Sequence, residues 1–163
     1  MIITQIRFEN YRAYYGEVIF DFPIDGERNV SIIFANNDVG KTCFFSGVLF
    51  CLYGSKDSDS LKDLINVNAQ REGTYQSSVT IFADQDGEEI SITRDISLRG
   101  NIKEHISSKD FRSRLVITKG GVPISATDDA EKMDYINSIV HEDAAQYFFF
   151  DGEKINDYSV ADG

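Results

Sequence analysis

No stretch of this sequence holds the roughly 18 consecutive apolar residues that a helix needs to cross a bilayer. The N-terminus also lacks the layout of a secretory signal, opening instead on Ile residues alternating with polar ones. Together these absences predict a cytoplasmic protein with no membrane partner. Cysteine is scarce: Cys43 and Cys51 both fall in a stretch that reads as a buried helix, which predicts free thiols rather than a disulfide. His105 and His141 are the two histidines, and with the cysteines they are too scattered for zinc-ligand spacing. There is no internal repeat, no long linker and no Asn-Lys-x-Asp motif, so a GTPase is disfavoured. What remains is an ordinary globular balance, 42% hydrophobic and 26% charged, at a length suited to one domain.

The net charge of −11 argues against a surface built wholly for nucleic acid. The charge is uneven, however. Between Arg94 and Gly121 seven basic residues face three acidic ones, a window of +4 on a chain whose remainder carries −15. Such a strip suits a phosphate backbone or an acidic partner, although the charge pattern alone favours the solvated face of a hairpin and its loops.

Period-two alternation predicts strands over 2–8 and 18–22, with a turn near Gly16 between them. Val30-Ser31-Ile32-Ile33-Phe34 is short and continuously apolar, which predicts a central strand buried on both faces. The segment from Gly40 to Tyr53 is apolar nearly all round and predicts a buried helix. Within it Gly47 would permit close approach of another element, and Gly54 would stop the helix. Two strands, 78–83 and 89–94, flank an Asp86-Gly87 hairpin turn. Residues 115–118 suggest a further strand. Ala130, Met133, Ile136, Ile139 and Val140 share a helical face over 128–140, with Ser125 or Thr127 as cap and Asp128 and Asp129 in the first turn. Tyr147 to Phe150 reads as a last apolar strand.

The chemistry concentrates at Ala35-Asn36-Asn37-Asp38-Val39-Gly40-Lys41-Thr42. A strand, a tight loop and a helix opening on Gly-Lys-Thr form a phosphate-binding loop, whose backbone N–H groups cradle phosphate at a helix N-terminus. Lys41 is expected to reach the β and γ phosphates and the Thr42 hydroxyl to ligand Mg²⁺. The expected ligand is therefore ATP with Mg²⁺. Alanine stands at position 35 where the first glycine is usual, adding a Cβ that disfavours positive φ.

Asp151 has two readings. By residue type alone, Tyr147-Phe148-Phe149-Phe150-Asp151 followed by Glu153 suggests a Walker B strand presenting a carboxylate to Mg²⁺. The family resemblance set out in the next paragraph implies instead a Q-loop position, favoured because Walker B motifs in those relatives place Asp and Glu side by side without the intervening Gly152. Either way Asp151 is a metal-side residue, and with Lys41 it is the expected catalytic pair.

Ile6-Arg7-Phe8-Glu9-Asn10-Tyr11-Arg12 resembles the opening of the SMC/SbcC/RecF group of ABC-type ATPases. Residues 35–54, ending Leu52-Tyr53-Gly54, are similar to their phosphate loop and first helix, and Ile90 to Arg94 resembles their second hairpin. Phe148-Phe149-Phe150-Asp151-Gly152-Glu153-Lys154-Ile155 resembles DndD-like members of DNA modification, repair or anti-phage defence systems. The resemblance runs through essentially the whole chain, in order. It implies an α/β fold, the N-terminal lobe of a P-loop ABC-ATPase head: an antiparallel sheet plus a central sheet carrying the phosphate loop and buried helix, over residues 1–163. It also implies that a coiled coil and a C-terminal lobe with the signature motif complete the protein, since no heptad run or Leu-Ser-Gly-Gly is present here.

By the same resemblance Asn10 and Arg12 are nucleotide-proximal, although taken alone Arg12 reads as a surface arginine. Phe8 and Tyr11 belong to the core or an adenine wall. The implied partners are a second ATPase head docked through the nucleotide, the chain's own C-terminal lobe, DNA, and a nuclease or regulatory subunit. The isolated chain is then expected to be inactive in hydrolysis. Two rivals stand beside this reading: a self-contained P-loop NTPase using Asp151 as its Walker B residue, and a nucleotide-binding module that does not hydrolyse.

Overall fold

A six-stranded, wholly antiparallel sheet organises the chain, in the order β2-β1-β3-β4-β5-β6. The computed structural model describes residues 1–23, 30–33, 40–55, 61–100, 106–126 and 128–148. The strands are β1 (Ile2–Tyr11), β2 (Tyr14–Asp21), β3 (Gln76–Gln85), β4 (Glu88–Leu98), β5 (Phe111–Lys119) and the short β6 (Val122–Pro123). The helices are α1 (Lys41–Tyr53), α2 (Val67–Arg71), α3 (Asp129–Ile139) and α4 (Glu142–Phe148).

Register explains the alternating sequence. Ile6 faces Ile81, Ile81 faces Ile92 and Ile92 faces Ile117 across neighbouring strands, and all four side chains are buried. Their sequence neighbours, among them Arg7, Phe82, Ser91 and Thr118, point to the other face, as period two requires. The core thus lies on the face where α1 and α3 pack, and the opposite face is mostly polar. The Asp86-Gly87 turn is as expected: both residues have positive φ, 57° and 85°, and Gln85 pairs with Glu88 across a two-residue loop. The Asp84 carboxylate accepts the Gly87 N–H at 3.0 Å.

α1 buries Phe44, Gly47, Val48, Phe50, Cys51 and Leu52. Gly47 is where it meets the sheet, since a Cβ there would collide with Cε1 of Phe8 and stand 3.1 Å from Tyr11. Phe8, itself fully buried, gathers Tyr14, Tyr11, Phe44 and Phe20 at ring-centroid distances of 4.6, 5.8, 5.8 and 5.9 Å. Phe8 and Tyr11 are therefore core residues. Gly54 has φ 82° and donates its N–H to Phe50, ending the helix as its sequence position suggests. Cys51 is buried and Cys43 partly so, both as free thiols.

Four expectations change. Val30–Ile33 joins no strand, and Val30 and Ile32 are 79% and 71% exposed. A strand exists only when a neighbour takes its N–H and C=O groups, and among the described residues this apolar segment has none. No second, central sheet is seen among those residues either. Tyr147 and Phe148 lie in α4 rather than in a strand. Glu142 and Asp143 favour the first turn, and Ala144, Ala145 and Gln146 are good helix formers, so the helix runs on into the aromatic segment. The cap of α3 is Asp128, whose carboxylate accepts the Glu131 N–H at 2.9 Å; Thr127 lies outside the described residues. On α3, Ile136 is buried and Met133 half-buried, whereas Ala130 is exposed. No described helix is long and apolar enough to cross a membrane.

Candidate nucleotide site

Gly40, Lys41 and Thr42 sit together at the N-terminus of α1. Gly40 adopts φ 100°, a conformation that a side chain would strain, and Lys41 and Thr42 are exposed. The first turn of α1 contains no acidic residue, and its N-cap residue, Gly40, has no side chain to cap the N–H groups. An α-helix leaves its first N–H groups without intrahelical partners, and its dipole adds partial positive charge there. A helix start that carries a lysine, with no carboxylate in its first turn, fits an anionic ligand. The same features fit the triphosphate of ATP: N–H groups and Lys41 for phosphate oxygens, and a hydroxyl on Thr42 for a hydrated Mg²⁺. Asn36, Asn37, Asp38 and Val39 lie outside the described residues, as do Ala35 and Asp151.

The β1–β2 hairpin is held against this corner. Asn10 and Arg12 both have positive φ, 48° and 45°, an uncommon backbone state for residues with side chains. Neighbouring groups hold each in place. The Asn10 side-chain oxygen accepts the Gly16 N–H at 2.9 Å. The Arg12 N–H donates to Leu64 at 2.9 Å.

Asn66, only 5% exposed, binds both residues through their carbonyls. Its backbone N–H donates to Asn10 at 2.7 Å, and its side-chain amide donates to Arg12 at 2.6 Å. Its Oδ1 meanwhile caps α2 by accepting from the N–H groups of Asn68 and Ala69. Strained backbone in a tight turn persists only where the surroundings over-determine it, and Asn66 supplies that determination.

Tyr14 joins the hairpin to the helix start. Its hydroxyl donates to the Gly40 carbonyl oxygen at 2.8 Å, and that oxygen also accepts the first helical N–H, from Phe44, at 2.9 Å. Burial pushes the Tyr14 hydroxyl up to about 12, with the nearby Cys43 thiol adding to the shift, so it remains a donor at neutral pH.

At the far end of α1 the buried Arg94 caps the helix. Nε donates to Cys51 at 3.0 Å and Nη2 to Leu52 at 3.1 Å, completing carbonyls of the last turn. Burial lowers the Arg94 pKa, opposed by Cys51 and Asp129. Arg94 therefore leaves the basic strip and becomes part of the core. Lys119 pairs with Glu88 at 3.2 Å, and Arg99 donates to the Phe111 carbonyl at 2.9 Å. Lys103 lies outside the described residues. What persists is Lys109 just before β5 and, on the polar face of the sheet, the pair Arg112 and Arg114, all three exposed. The two arginines flank Asp95, whose carboxyl is raised by burial and lowered by Arg114 and Arg112.

Sequence reasoning marks neither Tyr14 nor Asn66, and takes Arg94 only as part of the basic strip and the second hairpin. Tyr14 stands two residues beyond Arg12, where the alternation of β2 begins. Asn66 carries the signal of an N-cap residue before a short run. Nothing local marks Arg94, because its partners lie on a helix more than forty residues away.

The sequence of residues 5–159 matches the family model described as an AAA domain. No curated protein matches the chain.

Proposed function

The chain belongs to the AAA domain family, a family of P-loop ATPases, and on that premise we propose that it is the ATP-binding N-terminal lobe of an SMC-like ATPase head. The observation that carries this reading is Gly40-Lys41-Thr42 at the start of an apolar helix wedged against an antiparallel sheet, with no acid in its first turn. In this proposal the backbone of Asn36, Asn37, Asp38, Val39 and Gly40 wraps the phosphates, and Lys41 neutralises the β and γ groups. Thr42 holds Mg²⁺ and Asp151 assists at the metal from the Q-loop. The ion, when bound, offsets charge on the phosphate oxygens. Asn10 and Arg12 approach the nucleotide from the β1–β2 turn, whose strained backbone supports a functional role.

The exposed segment 30–33, which joins no strand among the described residues, supports the further reading that a C-terminal lobe covers it, adding strands beside it. Two such heads would sandwich ATP, and hydrolysis would release them and move attached coiled coils. DNA is the proposed substrate surface, with Arg112 and Arg114 as its contacts, and a nuclease or regulatory subunit is a proposed partner in repair or anti-phage defence. The helical state of Tyr147 and Phe148 weighs against the self-contained NTPase, because a Walker B aspartate ends an apolar strand.

Titration with MgATP tests the core of the proposal. Lys41→Ala removes a charge-assisted contact and is expected to weaken binding by about tenfold or more. Equal affinity would overturn the assignment of the loop. Turnover by the 163-residue chain, lost in Lys41→Ala and Asp151→Asn, would instead favour the self-contained NTPase. ATP binding without turnover by the complete protein would leave the non-hydrolysing module. Arg112→Glu with Arg114→Glu is expected to lower DNA affinity and flatten its salt dependence; no change in either would remove DNA from this face.

A further inference from the structure

From the 2.8 Å contact between the Tyr14 hydroxyl and the Gly40 carbonyl oxygen, we infer that Tyr14 is a positioning residue for phosphate binding, setting the orientation of the Gly40–Lys41 peptide. The inference rests on the ATP-site reading above. A trans peptide directs its C=O and N–H in opposite senses, and no described peptide bond is cis. Anchoring the Gly40 oxygen on the flank of α1 therefore aims the Lys41 N–H out of the helix start, where a phosphate oxygen would lie.

The α1 helix bond from Phe44 alone leaves this peptide at a fraying end. Gly40, the N-cap residue, has no side chain to steady itself or to cap the helix start. The hydroxyl of Tyr14 supplies the second anchor, and it comes from a rigid part of the molecule. The Tyr14 ring packs on Phe8 at 4.6 Å and edge-on to Phe20 at 5.9 Å, and Tyr14 begins β2 directly after the turn that Asn66 pins.

The fit is close from both sides. A Cβ on Gly40 would approach the Tyr14 ring to 3.3 Å, so the glycine both permits φ 100° and admits the ring. Preorganised donors bind an anion without reordering at the moment of binding, which is where such an anchor acts.

The experiment compares the wild-type chain, Tyr14→Phe and Phe20→Leu. Tyr14→Phe keeps the ring and deletes the hydroxyl; Phe20→Leu loosens the ring packing and keeps the hydroxyl. The probes are MgATP and inorganic tripolyphosphate, with melting temperature and the carbonyl ¹³C shift of Gly40 recorded for each protein. Tyr14→Phe is expected to move the Gly40 shift without ligand and to weaken both probes by about 3- to 10-fold, the size of one hydrogen bond. Phe20→Leu is expected to lower the melting temperature and leave both affinities within twofold. Unchanged affinity in Tyr14→Phe overturns the inference, as does an equal loss in Phe20→Leu, which would trace binding to packing alone. A wild-type chain that binds neither probe, while its Gly40 shift still differs from that of Tyr14→Phe, would sink the ATP-site reading itself and leave the anchor as a structural contact.

Discussion

The guanidinium of Arg94 on β4 closes the C-terminus of α1, with Nε 3.0 Å from the carbonyl oxygen of Cys51. No basic residue of α1 itself stands in its last turn, so this cap is supplied across the core rather than along the helix. A cation there also complements the negative end of the helix dipole. Arg94→Ala is expected to cost about 2–4 kcal/mol, because the Cys51 and Leu52 carbonyls lose buried partners and a cavity opens. Arg94→Lys should recover part of this, lacking the planar fork that serves both oxygens. Urea unfolding measures both. A cost below about 1 kcal/mol, the scale of a surface contact, would show that the carbonyls find other partners.

Gly47→Ala tests the contact between α1 and β1. Alanine is the better helix former by about 1 kcal/mol. Here the added methyl meets the buried ring of Phe8, which four aromatic neighbours hold in place. The overpacking cost of about 1–3 kcal/mol should prevail, giving net destabilisation. Adding Phe8→Leu to Gly47→Ala should cost less than the two single effects summed, since the neighbours share one space. A Gly47→Ala protein more stable than wild type would contradict the packing.

Asn66→Ala removes the cap of α2 and leaves the Arg12 carbonyl without its side-chain donor. The two losses together are expected at about 2–3 kcal/mol. Asn66→Asp separates them. Aspartate caps helices as well as asparagine does, yet it cannot donate to Arg12 and sets a carboxylate against that carbonyl. Thermal unfolding should therefore find Asn66→Asp clearly destabilised. A wild-type melting temperature would mean that capping is the whole role of Asn66.

Alkaline stability should decline earlier than an exposed thiol would predict. Burial raises the Cys51 thiol from 9.0 to about 12. The unfolded chain releases this proton near pH 9 while the fold retains it. The resulting stability is thus complete below pH 9 and is lost as pH rises toward about 12. The slope contributed by one such group approaches about 1.4 kcal/mol per pH unit. Tyr14 and Tyr53, raised from 10.0 to about 12 chiefly by burial, add to it above pH 10. Cys51→Ala should flatten the stability curve between pH 9 and 10, whatever its effect on absolute stability. An unchanged slope there would place the titration elsewhere.

The local rules read most of the framework correctly, and with a common cause. The Asp86-Gly87 hairpin, the alternation in β1, β3 and β4, and the helix from Lys41 to Tyr53 each depend on residues within a turn or two of one another. The glycines at 47 and 54 followed from the same arithmetic. Strand ends did not: β4 continues past Arg94 to Leu98 and β5 begins at Phe111, because pairing with a neighbour extends a strand beyond its own propensity.

What the sequence determined by itself is the Gly40-Lys41-Thr42 opening of an apolar helix, and with it the expectation of a triphosphate. Tertiary structure decided the rest. Arg94 is a core cap, because a helix end carrying unsatisfied carbonyls lies over β4. The segment 30–33 is mostly apolar yet exposed, because a strand needs a partner that apolarity cannot supply, and none is found among the described residues. Tyr14 meets Gly40 from 26 residues away, because the strained turn at Asn10 and Arg12, held by Asn66, brings β2 back beside the start of α1. Contacts of that range depend on register and topology, which no window of neighbouring residues contains.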